Sequence, residues 1–300
     1  MRIIRYQTEE GVAVLAALTI EYKIYPLSFN NFLELVEYAQ NTNQTPLSLV
    51  EKVIQDEQPS PMKFEELSLL VPIEAPEVWA SGVTYEKSKV ARNYEATDGK
   101  LDALTFYDKV YDAERPEIFL KSTAARTVGP NSEVYLRSDS NWQIPEPELG
   151  LVINKEGTIL AYTIGNDMSC RDIEGENPLY LPQAKIWKHS CAIGPTLLLA
   201  EAVNDPYQLE INCKIYRDNQ LVVEGSANTN QLKRKYDELI SFLLRDNEIF
   251  DGTILLTGTC IVPPNDFTLD DGDLIEIEIS EIGVLKNPVK VPANKYVALY

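Results

Sequence analysis

The sequence predicts an α+β fold, mainly β, in which a small N-terminal α/β domain (residues 1–70) precedes a larger domain (71–300). Three observations carry this. Short apolar runs bounded by Gly, Asn, Asp and Pro recur through most of the chain after residue 115. Helical periodicity is confined to a few stretches, most clearly before residue 60 and around 232–244. With 300 residues, 44% of them hydrophobic, the chain can bury a substantial core.

In order, Arg2–Tyr6, Val12–Thr19 and Glu21–Tyr25 alternate loosely and read as short strands. Ser28 is placed to cap a helix carrying Phe29, Phe32, Leu33 and Val36 on one face. Ser48 opens a second with Leu49, Val50, Val53 and Ile54, and Gln58–Pro61 ends it because proline cannot continue a helix. No chemical motif falls in residues 1–70, which read as structural. Val71–Pro76 enters the main domain. Residues 86–113 are helical in pattern, with Lys87, Lys89, Arg92 and Lys100 as a basic cluster. The expectation there is a solvated face; a mobile lid whose cations meet substrate is the alternative. Glu117, Phe119 and Lys121 share one face of a strand.

From Pro195 onward the pattern is strongly β. Leu209, Ile211, Cys213 and Ile215 alternate, and Leu221–Val223 follows the Asp218-Asn219 turn. One helix interrupts, with Leu232, Tyr236, Leu239, Ile240, Leu243 and Leu244 on a face and Asn230 as cap. Ile254–Val262 is a buried run in which Gly258 permits close backbone approach and Thr259 offers a hydroxyl. Ile275, Ile277 and Ile279 form a last alternating strand. Asp270–Asp273 lacks the spacing of a calcium loop and reads as a turn.

The net charge of −19 argues against nucleic acid or an anionic membrane as partner, since both require a basic surface. An anionic substrate would then depend on a local cation. Cys170, Cys191, Cys213 and Cys260 have no C-x-x-C spacing and read as reduced, buried thiols. No apolar run reaches ~18 residues and no leader pattern is present, so the expectation is a cytoplasmic protein.

The chemistry concentrates between Asn141 and Asp172. Two apolar runs, Leu149–Ile153 and Ile159–Ile164, flank a turn at Glu156-Gly157. Glu146 and Glu148 precede the first run and Asp167 follows the second. Pro147 biases Glu146 to extended backbone, where residues two apart share a face, and antiparallel pairing returns Asp167 to their level. Three converging carboxylates repel unless a cation lies between them, and an all-oxygen set suits Mg²⁺, Mn²⁺ or Ca²⁺. Glu-x-Glu also arises by chance among 46 acidic residues, as at Glu174/Glu176 and Glu276/Glu278.

Glu146–Ile153 (EPELGLVI) and Ala161–Asp172 (AYTIGNDMSCRD) resemble the signature of the fumarylacetoacetate hydrolase family. So do Ile193-Gly-Pro195, Asp251-Gly-Thr253, Thr257-Gly-Thr259, Gly272-Asp273 and Asn287-Pro-Val289. Residues 115–121, 176–183 and 245–247 resemble a sugar-acid dehydratase branch of it. The resemblance implies a mixed β-roll, a metal on Glu146, Glu148 and Asp167, an active-site Lys185, and Lys121 facing the site. It also implies a homodimer or homotetramer, in line with broad apolar strand faces. Ser81–Tyr85 resembles the family's entry loop, but hydrolytic members carry a His-Glu dyad where this chain has Ser88 and Ala91. Water activation then loses its usual base.

The implied reaction is dehydration of a small anionic 2-keto-3-deoxy sugar acid, such as 2-keto-3-deoxy-D-arabinonate, to 2,5-dioxopentanoate. A C–C hydrolase, an oxo-acid decarboxylase or a tautomerase are the alternatives. Glu117 and Lys185 are the expected acid and base, in either order. Desolvation beside apolar groups is expected to lower the Lys185 pKa. Lys121, Arg171, Thr259 and Tyr85 are expected to bind substrate, although Arg171 equally suits an ion pair with Asp172 or Glu174. The sole histidine, His189, reads as a structural or surface residue.

Overall fold

The computed structural model describes residues 1–97 and 106–293. Its N-terminal part is built of strands β1 (Arg2–Gln7), β2 (Ala13–Leu18) and β3 (Ile24–Pro26), then helices α1 (Phe32–Asn41) and α2 (Pro46–Asp56). Both helices start at caps other than the expected serines. Asn31 accepts from the Glu34 amide and Thr45 from that of Ser48, so Ser48 is the reciprocal member of a capping box rather than its opening residue.

Next come β4 (Ser68–Leu69), β5 (Glu77–Gly82), α3 (Glu86–Thr97), α4 (Phe106–Asp112) and β6 (Glu117–Thr123). Lys100 of the basic cluster lies outside the described residues. Short strands β7 (Thr127–Val128), β8 (Val134–Tyr135) and β9 (Gln143–Ile144) lead to the hairpin β10 (Pro147–Ile153) and β11 (Ile159–Asp167). Then follow β12 (Ser169–Cys170), α5 (Arg171–Glu176), α6 (Leu181–Lys185) and β13 (Cys191–Leu199). The C-terminal part holds β14 (Glu210–Arg217), β15 (Gln220–Asn228), α7 (Tyr236–Leu244), β16 (Thr253–Leu256), β17 (Leu274–Ile279) and β18 (Gly283–Lys290). The helix expected behind Asn230 begins only at Tyr236. Asn228 caps a separate 3-10 turn there, and Arg234 is drawn off to carbonyls of 113 and 114.

An 11-stranded sheet runs β3-β2-β1-β13-β11-β10-β16-β5-β6, with β4 on β1 and β7 on β13. A five-stranded sheet runs β15-β14-β17-β18-β8. The alternation of β10 and β11 explains how the two are joined. Leu149, Leu151, Ile153, Tyr162 and Ile164 pack with Ile211, Cys213, Ile275 and Ile277 of the smaller sheet. Val152 and Ala161 point the other way, into a core with Phe32, Leu35 and Val36 of α1. A strand covered on both faces reads as a continuous apolar run, as β10 does. The first 70 residues share this second core, and β1 pairs with β13 (Arg2 opposite Leu198). The result is a mixed, sheet-dominated α/β architecture of the β-roll kind.

The hairpin turn is pinned where expected. Gly157 has φ +85°, and a Cβ there would meet Leu244 at 2.5 Å and Ile240 at 2.7 Å, so α7 rests on the turn. His189 (φ 57°) packs on Tyr135, with ring centroids 4.2 Å apart, and its pKa is lowered chiefly by burial, consistent with a structural role. All four cysteines are buried and unpaired. Burial pushes the Cys170 thiol up to about 11 and those of Cys191 and Cys213 to about 12.

Gly258, just beyond β16, is a tight backbone position near the hairpin ends. Its φ is +96°, and a Cβ would lie 1.9 Å from Thr84 Oγ1 and 2.9 Å from the Ser81 carbonyl. The Gly258→Ala variant should lose roughly 1–3 kcal/mol of stability. Chemical denaturation of both proteins would show this as a lower midpoint; identical midpoints would contradict it.

Candidate active site

Glu146, Glu148 and Asp167 converge because of the hairpin register. Pro147 pairs with Asn166 and Glu148 with Gly165, and the Asp167 amide donates to the Glu146 carbonyl at 3.0 Å. One carboxylate oxygen from each lies within 4.8 Å of the others, and all three residues are buried. Beneath them sit two buried lysines. Lys185, at the end of α6, pairs with Glu146 and lies 3.3 Å from Asp167 Oδ2. It also donates to Ser169 Oγ at 2.5 Å. Lys121 Nζ lies 2.7 Å from Asp167 Oδ1 and donates to the carbonyls of Met168 and Lys185.

These contacts reverse the expectation for Lys185. Burial alone would lower its pKa, but Asp167 and Glu146 outweigh burial and raise it above the usual lysine value. Lys185 is therefore an ammonium and not a neutral amine. The three carboxylates differ in turn. Burial pushes Glu146 up, yet Lys185, Arg92 and Arg171 more than offset this and hold it at about 2. Glu148 is raised well above the carboxylate range by burial, then by Asp167 and Glu146, despite a 2.6 Å hydrogen bond from the Gly258 amide. Glu148 is thus the carboxylate of the three whose charged form the buried lysines do not pair, and a divalent ion would supply the cation that form needs. Among the described residues the donor set is three carboxylates with no nitrogen or sulfur ligand, which fits Mg²⁺.

The triad opens on a cavity of about 10 Å³, room for a single water. Lys185, Phe119, Thr259, Ser88 and Arg92 line it, with Ser81–Val83 at the end of β5. Admission of a five-carbon acid requires a wall to move. Thr259 is in the wall, but its hydroxyl donates to the Ile261 carbonyl at 3.1 Å. Glu117 stands one step back: a Cβ on Gly82, a wall residue, would meet Glu117 Oε2 at 1.9 Å. That oxygen is buried and has no hydrogen-bond partner among the described residues.

Other expected residues go elsewhere. Lys121 is behind the triad and not in the wall. Arg171, buried at the start of α5, lies over the Trp142 ring at 5.6 Å and acts on Glu146 through its charge. Tyr85 is turned into the core between the sheets, its hydroxyl unpartnered among the described residues and its pKa raised chiefly by burial. Asp172 accepts from Ser140 Oγ and the Asn141 amide, fixing the loop before the hairpin.

Arg92 departs most from the sequence reading. It is not on a solvated face; it is 4% exposed, pairs with buried Glu174, and enters the cavity wall one helical turn from Ser88. Ser88 donates to the Tyr85 carbonyl, tying the start of α3. The i, i+4 spacing of Ser88 and Arg92 was the one signal that could have placed them together. In the sequence Ser81 carries a signal only as part of the entry-loop resemblance, and Glu174 reads as a candidate partner of Arg171 rather than of Arg92.

Metal affinity should follow from the strained carboxylate. A carboxyl raised above its unfolded value makes the metal-free fold bind an extra proton above the ordinary carboxylate range. Stability contributed by Glu148 then falls as pH rises, and a bound cation displaces that proton. Glu146, held low, acts only as pH falls from its ordinary value towards about 2 and is constant in this window. Mg²⁺ should therefore raise Tm more at about pH 7.5 than at about pH 5.5, and Glu148→Gln should weaken Mg²⁺ by about 10-fold or more in calorimetry. Equal Tm shifts, or undiminished affinity, would contradict this.

Comparison with known proteins agrees with this geometry. The family model described as fumarylacetoacetate (FAA) hydrolase C-terminal matches residues 87–290. The chain is 50% identical over 228 residues to 2-dehydro-3-deoxy-D-arabinonate dehydratase of Saccharolobus solfataricus, covering 76% of each protein. It is 45% identical over 226 residues to the probable 2-keto-3-deoxyxylonate dehydratase of Haloferax volcanii, covering 75% of this chain and 76% of that one. It resembles a solved structure of 2-keto-3-deoxy-D-arabinonate dehydratase complexed with magnesium and 2,5-dioxopentanoate, with TM-score 0.83 and 39% identity. That alignment covers 98% of this chain and 100% of the other. The family match and these identities show that the chain belongs to the fumarylacetoacetate hydrolase family.

Proposed function

We propose that the protein is a Mg²⁺-dependent hydro-lyase that converts 2-keto-3-deoxy-D-arabinonate, or a close keto-deoxy sugar acid, into 2,5-dioxopentanoate and water. The observation that carries this reading is the buried Glu146–Glu148–Asp167 set facing a cavity whose wall holds an ammonium, Lys185. The named relatives point to the same substrate class. Glu146, Glu148 and Asp167 would hold a divalent ion, which would supply Lewis acidity to the 2-keto acid and so acidify C3.

The chain's own groups divide the proton work. Glu117, with an unpartnered buried oxygen behind Gly82, takes a proton from C3. The C4–O bond then breaks, and Lys185 protonates the departing hydroxyl as water. The resulting C3=C4 enone loses a proton from C5 and regains one at C3, and the C5 enol relaxes to the aldehyde. A C–C hydrolase would instead need a base to activate water, and the α3 wall offers Ser88, whose hydroxyl is engaged by the Tyr85 carbonyl.

Two further properties complete the proposal. Among the described residues no helix is long and apolar enough to cross a membrane, and the four thiols are unpaired, which supports a cytoplasmic setting. Leu221 and Val222, on the edge strand β15, are 48% and 44% exposed, which supports self-association. Light scattering at micromolar concentration should report a homodimer or homotetramer; a 33.8 kDa particle would contradict this.

Run in D₂O, the reaction should place solvent deuterium in 2,5-dioxopentanoate, because C3 is reprotonated from solvent. Acylpyruvates should remain uncleaved. Glu117→Gln and Lys185→Met should each lower kcat by about 10²-fold or more. Rapid acylpyruvate cleavage with keto-deoxy acids returned untouched would overturn the reading.

A further inference from the structure

The cavity wall carries two polar side chains that this reaction scheme leaves unused. Ser81, on β5, is 2% exposed, and its Oγ makes no hydrogen bond among the described residues. Arg92, on α3, is 4% exposed and reaches the same wall while paired with Glu174. A buried hydroxyl without a partner is destabilising, as is a guanidinium withdrawn from water. Polar groups kept at such a position on a cavity wall match something polar that enters it.

The identity of that group follows by elimination and rests on the dehydratase reading. The substrate's carboxylate and 2-keto oxygen are hard donors suited to the triad's ion. The C4 oxygen departs. The C5 oxygen is the remaining polar handle, and it stays on the carbon skeleton throughout. Other hydroxyls on the wall are engaged within the protein: Ser88 with the Tyr85 carbonyl and Thr259 with that of Ile261. Lys185 is held by Glu146 and Asp167.

We propose that Ser81 and Arg92 form a subsite for the C5 hydroxyl, so that the enzyme selects keto-deoxy acids hydroxylated at the terminal carbon. The hydroxyl accepts a hydrogen bond from the guanidinium and donates one to Ser81 Oγ, which gives the Ser81 hydroxyl the partner it lacks among the described residues. Glu174 keeps the Arg92 side chain from collapsing onto the triad's carboxylates. As C5 passes from alcohol to enol to aldehyde, the guanidinium remains a donor to its oxygen.

The test compares 2-keto-3-deoxy-D-arabinonate with 4-hydroxy-2-oxopentanoate, which keeps the C4 leaving group and lacks the C5 hydroxyl. Ser81→Ala and Arg92→Lys should each lower kcat/KM for the hydroxylated acid by about 10-fold, mostly through KM. Each should leave the value for the C5-deoxy acid within about 2-fold, narrowing the wild-type preference. Unchanged Mg²⁺ affinity in calorimetry reports an intact fold, and Ser81→Ala removes a single atom, so it stands alone should Arg92→Lys misfold. Equal losses on both acids, or no loss on either, would overturn the subsite. A wild-type protein that dehydrates neither acid would overturn the dehydratase reading, and the subsite with it.

Discussion

The pairing of Lys185 with Glu146 and Asp167 is the constraint around which this molecule is arranged. Both lysine partners are fully or almost fully buried, so the charges must be assembled without water. Bringing such ions into a protein interior costs several kcal/mol each unless partners stand in fixed geometry. The fold provides it from three directions: the β10–β11 hairpin brings the carboxylates, α6 brings Lys185, and β6 brings Lys121. Removing any one charge would leave the others buried and uncompensated. The two lysines also make the triad tolerable before a metal arrives, since they neutralise Glu146 and Asp167 and leave the misfit on Glu148.

The hairpin was legible because its information is local. Alternation, a Gly157 turn and a proline after Glu146 fix register within a few residues, and register alone brings Asp167 beside Glu146. Longer-range facts were not. Lys185 sits beside apolar groups in sequence, yet the side chains that set its charge come from residues about 20 and 40 positions away; sequence neighbours gave the wrong sign. Arg92 lies in a stretch of charged residues that reads as a wetted surface, whereas in the fold it meets Glu174 across α3 and α5 and is interior. Helix starts slipped by three residues because Ser, Thr and Asn are all competent caps, and the choice is made by which side chain reaches an amide. The resemblance to a known family supplied what periodicity could not, namely which of several Glu-x-Glu pairs faces a site.

The two walls of the cavity have different mechanical standing. The triad stands at the ends of the β10–β11 hairpin, central in a sheet covered on both faces, so its position is held by the packing of two cores, and the two lysines reach it from α6 and from the edge strand β6. The opposite contributions, Ser88 and Arg92, come from α3, a helix linked to the body through the Arg92–Glu174 pair and the Ser88 hydroxyl. A charged floor set in the sheet and a roof carried on a separate helix suit a site that has to admit a substrate larger than its resting volume and still keep metal ligands in place.

The buried cysteines have a consequence for the longevity of such a catalyst. The proposed chemistry generates an enone and then an aldehyde, both of them electrophiles that consume thiolates. Each of the four cysteines is buried, and burial raises every one of their thiols above the ordinary value. Thiolate is the reactive form, and little of it exists at neutral pH under these conditions. The four thiols are thus poor targets for the electrophiles that the proposed reaction makes.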